Sequence, residues 1–332
     1  MQTCPSCAAE TIPGANFCGR CGARLTFVAA SVASCRCGAG PESIDAAGFC
    51  NECGIRQIDA DPRDHVEQIV DADFAGVTDR GRHHTANEDA IAIAGGSSPL
   101  GPVRLLVVSD GVSSSTAAAE ASGAAVAAFR DAGLAALARG ADLGASARQA
   151  VEAAQEAVLA IPYPRGAVAP AATLTAALVR GERAILAWAG DSRAYLFGKA
   201  PSQLTRDDSW LNDIVARGAL TLEQAKHHKY AHAIVNSLGG LADGDAFTAN
   251  FLEIVLPSDA QLLLCSDGLW NYAETPEALA DLMPDKGDAV EICRALVAFA
   301  NREGGHDNIS AVLLRLPIAK LDVRRSDAAG PS

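Results

Sequence analysis

The chain has 332 residues, 49% of them hydrophobic but only 5% aromatic, and 40 acidic against 27 basic side chains leave a formal net charge of -13. That balance excludes nucleic acid and anionic membrane surfaces as the main partner, since both select basic patches. No apolar run reaches the ~18 residues of a membrane span, and no basic-then-apolar signal follows Met1, so a cytoplasmic protein without membrane attachment is expected.

Eight of the ten cysteines precede residue 54, in two sets: Cys4, Cys7, Cys18 and Cys21, then Cys35, Cys37, Cys50 and Cys53. Paired thiolates on two turns, brought together across a short loop, match tetrahedral zinc. Each segment is too short to bury a core, so the metal would supply the folding free energy, on the order of 10 kcal/mol or more. The expectation is two zinc ribbons, 1–27 and 28–58, each around one structural Zn2+. The Cys35-Arg-Cys37 gap is tighter than the usual two residues. A disulfide framework would require secretion, which no signal pattern supports. Residues 1–58 carry four arginines against four carboxylates. This neutrality favours a protein contact or regulatory role over nucleic acid. Cys265 and Cys293 lie in apolar runs and read as buried hydrophobes.

Residues 59–73 are acidic with little apolar period and read as a linker, with a helical or strand-like stretch around Ile69. Short strand-like runs follow at 74–77, 90–94, 103–109, 173–179, 184–189, 193–197, 251–255, 262–266 and 309–316. An alanine-rich stretch from Thr116 to Leu159, broken near Gly140, predicts two helices. Trp188–Arg193 looks like a hairpin tip. Residues 205–240 read as mostly helical, with Ser209 capping one segment and Thr221-Leu-Glu-Gln224 forming a capping box. A further helix is expected at Asp288–Asn301, and residues 318–332 as a disordered tail. Strands without βα alternation, with helices inserted in blocks, predict an α+β fold of packed antiparallel sheets flanked by helices.

Asp89, Asp110, Asp191, Asp267 and Asp307 each stand near the end of a strand run. Two follow apolar runs in nearly the same words, Leu-Leu-Val-Val-Ser-Asp110-Gly111 and Leu-Leu-Leu-Cys-Ser-Asp267-Gly268. Converging carboxylates repel unless a cation sits among them, and oxygen ligands select Mg2+ or Mn2+ over zinc.

These pieces resemble, in family order, the metal-dependent protein serine/threonine phosphatases of the 2C type, with bacterial features. The matching segments are Thr78–Asp89, Val108–Val112, Ala172–Thr175, Trp188–Arg193, Leu264–Trp270 and His306–Ile309, within a catalytic domain spanning 74–317. The resemblance implies a four-layer α-β-β-α sandwich with two metals, or three, at one end. It implies that Asp110 bridges two ions with help from the Gly111 carbonyl, that Asp89, Asp267 and Asp307 are ligands, that Glu88 acts through water, and that Asp191 and Asp267 hold a third ion. Thr175 and Asn308 would support the site by hydrogen bonds. The implied reaction is hydrolysis of phosphoserine and phosphothreonine in cytoplasmic proteins by a hydroxide between the metals, opposed to a Ser/Thr kinase. The alternative is a catalytically weak module of the same fold that binds phosphoproteins, or a partner through its ribbons.

The chain departs from that pattern at three places. His84 stands where bacterial members carry a phosphate-clamping arginine, with Arg82 nearby as the other candidate contact. Val112 replaces a candidate general acid. Asp207-Asp208-Ser209 replaces Asp-His-Ser in a flap-like insert at 205–240.

Overall fold

The computed structural model describes residues 2–3, 10–11, 35, 37, 39–44, 50–54, 62–231, 233–239, 247–284 and 286–316. Cys4, Cys7, Cys18, Cys21, His232 and the tail 318–332 lie outside them. The chain divides into two compact units, Met1–Ala60 and Asp61–Ser332.

In the second unit, eleven strands build two antiparallel sheets. They are β1 (His65–Asp71), β2 (Phe74–Asp79), β3 (Asp89–Ser98), β4 (Gly101–Asp110), β5 (Leu174–Arg180), β6 (Arg183–Ala189), β7 (Arg193–Phe197), β8 (Ser202–Gln203), β9 (Asn250–Val255), β10 (Gln261–Cys265) and β11 (Ile309–Arg315). One sheet has the order β8-β7-β10-β11-β2-β1 and the other β9-β6-β5-β4-β3. Between them lies an apolar layer that includes Phe74, Ile91, Leu106, Val108, Leu186 and Leu264. The strands feeding this layer are buried on both faces, so they read as continuous apolar runs rather than as alternation.

Helices α1 (Ala118–Ala138) and α2 (Leu143–Leu159) cover the outer face of the five-stranded sheet. Their small residues bring the helices close. Gly133, for example, lies within van der Waals reach of Leu105, Ala150 and Leu178. The six-stranded sheet is covered by α5 (Asp267–Trp270), α6 (Pro276–Leu282) and α7 (Ala289–Arg302). The result is the expected α-β-β-α sandwich. Among the described residues no helix is long and apolar enough to cross a membrane.

Three local expectations give way. Residues 65–71, placed in the linker with a helical or strand-like stretch around Ile69, form a full edge strand paired with β2 through Val66–Thr78 and Ile69–Ala75. Trp188–Arg193 is not a hairpin tip: β6 pairs with β5 and β9, whereas β7 pairs with β8 and β10, so the segment crosses from one sheet to the other. Among the described residues, the insert at 205–240 holds two short helices, α3 (Trp210–Ala216) and α4 (Leu222–Lys226), rather than being mostly helical. Ser209 caps the first, and Thr221 with Gln224 forms the capping box of the second. Around them Trp210 stacks on His228 with ring centroids 4.3 Å apart. Contacts of that kind hold the rest of the insert without a helical ladder.

Candidate metal centre

The sandwich gathers the five aspartates at one end. Asp89 opens β3 and Asp110 closes β4, and the two are cross-strand partners. Asp191 lies in the sheet-to-sheet crossing, Asp267 opens α5 just after β10, and Asp307 precedes β11. Two glycines permit the close approach. A Cβ at Gly111 would sit 2.3 Å from the Ala118 carbonyl oxygen, and one at Gly268 would sit 2.0 Å from that of Asn308. Only glycine fits there.

A shell of uncharged donors fixes the carboxylates. The hydroxyls of Ser266 and Ser310 both donate to Asp89 Oδ2, each at 2.7 Å. Asn271 donates to Asp267 Oδ2 at 3.2 Å. The backbone of Asp110 is held through its N–H on Thr173 Oγ1 (3.0 Å) and through its carbonyl, which accepts the Thr173 N–H (2.7 Å). Trp270 Nε1 donates to the Asp191 carbonyl at 3.0 Å. Asn308 ties three segments together: its Oδ1 accepts the Glu88 N–H, and its amide donates to the Arg80 and Ala86 carbonyls.

Asn308 thus has the supporting place expected of it. Thr175 supports the site only at one remove, donating to the Ser192 carbonyl, while Thr173 contacts the Asp110 backbone directly. Thr173, Ser266, Ser310 and Asn271 were not singled out from sequence. The family-matching segments Ala172–Thr175 and Leu264–Trp270 carried a signal for Thr173 and Ser266, and none covered Ser310 or Asn271.

The buried carboxylates repel one another, and a cation would offset that repulsion. Asp89 Oδ1, Asp191 Oδ1 and Asp267 Oδ1 are buried with no hydrogen-bond partner among the described residues. Each such orphan costs about 1–3 kcal/mol, more when charged. Burial pushes Asp89 up to about 7 against the opposing pull of the Ser310 and Ser266 hydroxyls. Burial, then repulsion from Asp267 and Asp207, pushes Asp191 up to about 8. Burial and Asp307 push Asp267 up to about 6. Asp110, buried among the other four, is driven well above the carboxylate range. An all-carboxylate donor set with orphaned oxygens fits hard divalent cations such as Mg2+ or Mn2+.

The remaining candidates sit at the rim. Glu88 accepts a 2.5 Å hydrogen bond from Ser113. His84 Nε2 lies 3.1 Å from Asp307 Oδ1. Arg82 is anchored by its N–H to the Gly305 carbonyl. Val112 donates its backbone N–H to Ala171. In the insert, Asp207 grips Arg193 bidentately at 2.8–3.2 Å, and Asp208 accepts from Asn236 and Asn250.

In the first unit, Cys35, Cys37, Cys50 and Cys53 bring four sulfurs within 4.8 Å of one another. The 3.4 Å Cys35–Cys53 and 3.7 Å Cys37–Cys50 separations are far beyond a disulfide's ~2.05 Å. Burial pushes the Cys50 thiol up, but the backbone N–H groups of Cys53 and Glu52 outweigh it and bring it down to about 7. A tetrathiolate at this spacing fits Zn2+.

Residues 79–313 match the Protein phosphatase 2C family model, and the chain belongs to that family. Protein phosphatase PhpP of Streptococcus pneumoniae is 35% identical over 145 residues, which cover 43% of this chain and 57% of PhpP. Serine/threonine protein phosphatase PstP of Mycobacterium tuberculosis is 31% identical over 242 residues, covering 72% of this chain and 44% of PstP. The crystal structure of the PstP catalytic domain in complex with two manganese ions superposes with a TM-score of 0.58 at 28% identity, covering 76% of this chain and 99% of that domain. The chain therefore spans about half the length of the curated relatives it matches.

Proposed function

We propose that this chain is a Mn2+- or Mg2+-dependent phosphatase acting on phosphoserine and phosphothreonine of cytoplasmic proteins, opposed to a Ser/Thr kinase. The observation that carries the reading is the set of strand-end carboxylates with three orphaned, buried oxygens, in a chain of this family.

Asp110 and Asp267, in contact with one another, would be shared between ions, and Asp89, Asp307 and the Gly111 carbonyl would complete their ligands. Asp191 with Asp267 would hold a third ion, and Glu88 at the rim would act through water. When bound, such ions lower the pKa of water and offset charge on the phosphoryl oxygens.

The chain's own groups do the rest. Ser266 and Ser310 occupy one oxygen of Asp89, leaving the other for the centre. The Thr173 and Asn308 hydrogen bonds hold the Asp110 and Glu88 backbones in register, so the ligand positions need little reorganisation during the reaction. His84, beside Asp307, and Arg82 are the candidate contacts to the substrate phosphate. As a single ring donor, His84 lacks the bidentate fork of an arginine. The thiol quartet around Cys35 would hold one structural zinc, and Cys4, Cys7, Cys18 and Cys21 would hold a second.

Turnover of p-nitrophenyl phosphate with Mn2+, abolished by chelator and restored by metal, tests the activity. No turnover with either ion would leave the phosphoprotein-binding alternative. Zinc content of the purified protein tests the thiols: two equivalents are expected.

A further inference from the structure

The end of the five-stranded sheet remote from the carboxylates carries a second concentration of charge, of opposite sign. Arg180 ends β5 and Arg183 begins β6, while Arg148 lies in the second turn of α2. The three arginines line one cavity of about 630 Å3 together with Asp142, Gly144 and Glu253. Thr173, which contacts Asp110, precedes β5, and Arg180 ends it. At ~3.3 Å per strand residue the cavity stands roughly 23 Å from the carboxylate cluster.

Local pairing leaves this cavity cationic. Glu253 is engaged by Arg183. Asp142 Oδ1 accepts the Ala145 N–H at 2.8 Å as the N-cap of α2. Arg148 lies over the Phe251 ring, 4.8 Å from its centroid, a contact that uses the guanidinium face and not its N–H groups. Arg180 spends Nη2 on the Ala141 carbonyl at 3.1 Å, and its Nε is buried with no hydrogen-bond partner among the described residues. The arginines come from two strand ends and a helix, and guanidinium groups pair with phosphate oxygens through charge-assisted hydrogen bonds. The lining sets three arginines against two carboxylates, one net positive charge in a chain of net charge -13.

We propose that the cavity between Arg148, Arg180 and Arg183 is a second anion site that takes a phosphoryl group, either free phosphate or a phosphorylated side chain. It does not depend on the catalytic reading above, because its residues and its ligand contacts are separate from the carboxylate centre.

Isothermal titration of the full chain without added divalent metal tests it, since a metal-free carboxylate cluster repels phosphate. Inorganic phosphate and a phosphothreonine peptide are titrated separately at constant ionic strength. Saturable binding is expected, weakened at least about tenfold in R148Q/R180Q, with p-nitrophenyl phosphate turnover unchanged. Tighter binding of the peptide identifies a phosphorylated side chain as the ligand, and equal binding identifies the free anion. Absence of saturable binding in the wild type, or unchanged affinity in the double variant, overturns the proposal. Should that variant misfold, the Arg180 Nε–H resonance of the wild-type protein decides. It shifts on phosphate addition if the site exists, and a resonance that stays still refutes it.

Discussion

Asp89 ends its chain of contacts unevenly, with Oδ2 bound by two serine hydroxyls and Oδ1 by nothing among the described residues. That asymmetry orients the carboxylate toward the cluster. Removing a hydrogen bond behind a metal ligand commonly costs 10–100-fold in metal affinity. Ser310→Ala is therefore expected to weaken Mn2+ binding by about that factor in a calorimetric titration, with the secondary structure intact. Asp110→Asn is expected to lower p-nitrophenyl phosphate turnover by about 10²-fold or more, since it removes a central charge. His84→Ala should raise KM more than it lowers kcat, and an unaltered KM in steady-state kinetics would remove His84 from phosphate binding. The aspartates were legible in sequence because each stands at the end of an apolar run or in a motif. Ser310 was not, since it lies 221 residues from Asp89 and reads as an ordinary strand residue.

A largely buried ion pair helps to tie the insert to the sandwich. Arg193 on β7 is held by both oxygens of Asp207, and its guanidinium lies 3.5 Å from the centroid of the Trp270 ring on α5. Both partners are largely buried, with side chains 13% and 9% exposed. Removing one partner of such a pair leaves an uncompensated charge and costs about 3–5 kcal/mol. Asp207→Ala is expected to destabilise by about that much in urea unfolding, whereas a loss below about 1 kcal/mol would show that the pair is solvated. Elements with strong local signals, such as the two alanine-rich helices and the capping box at Thr221, were readable in advance. The edge strand His65–Asp71 was legible only as a helical or strand-like stretch around Ile69, because most of its side chains remain accessible and its sequence alternates weakly. Its strand character comes from pairing with β2. The crossing at Trp188–Arg193 escaped for a related reason: two strand runs joined by a short turn look alike whether they pair or part.

Across the whole molecule, the carboxylate cluster couples stability to pH and to metal. The folded-state values of about 6, 7 and 8 for Asp267, Asp89 and Asp191 lie above the ~3.9 of an unfolded aspartate. Between those limits the folded chain holds more protons than the unfolded one, so the cluster's contribution to stability is full below about pH 4 and is lost as pH rises through 6 to 8. On the proposed reading, divalent metal would replace those protons. The Tm increase on adding Mn2+ is expected to be larger at pH 8.5 than at pH 6 by scanning fluorimetry. An equal or smaller increase at the higher pH contradicts the cluster's role as a cation site. The ordered motifs by themselves determined the family, the layered α+β architecture and which aspartates to examine as metal ligands, because hydrophobic runs and their terminal residues are local patterns. Only the tertiary structure decided which hydroxyls and amides orient those carboxylates, where the chain changes sheets, and that three arginines share one cavity. Those relations join residues far apart in the chain, and packing sets them, not local sequence.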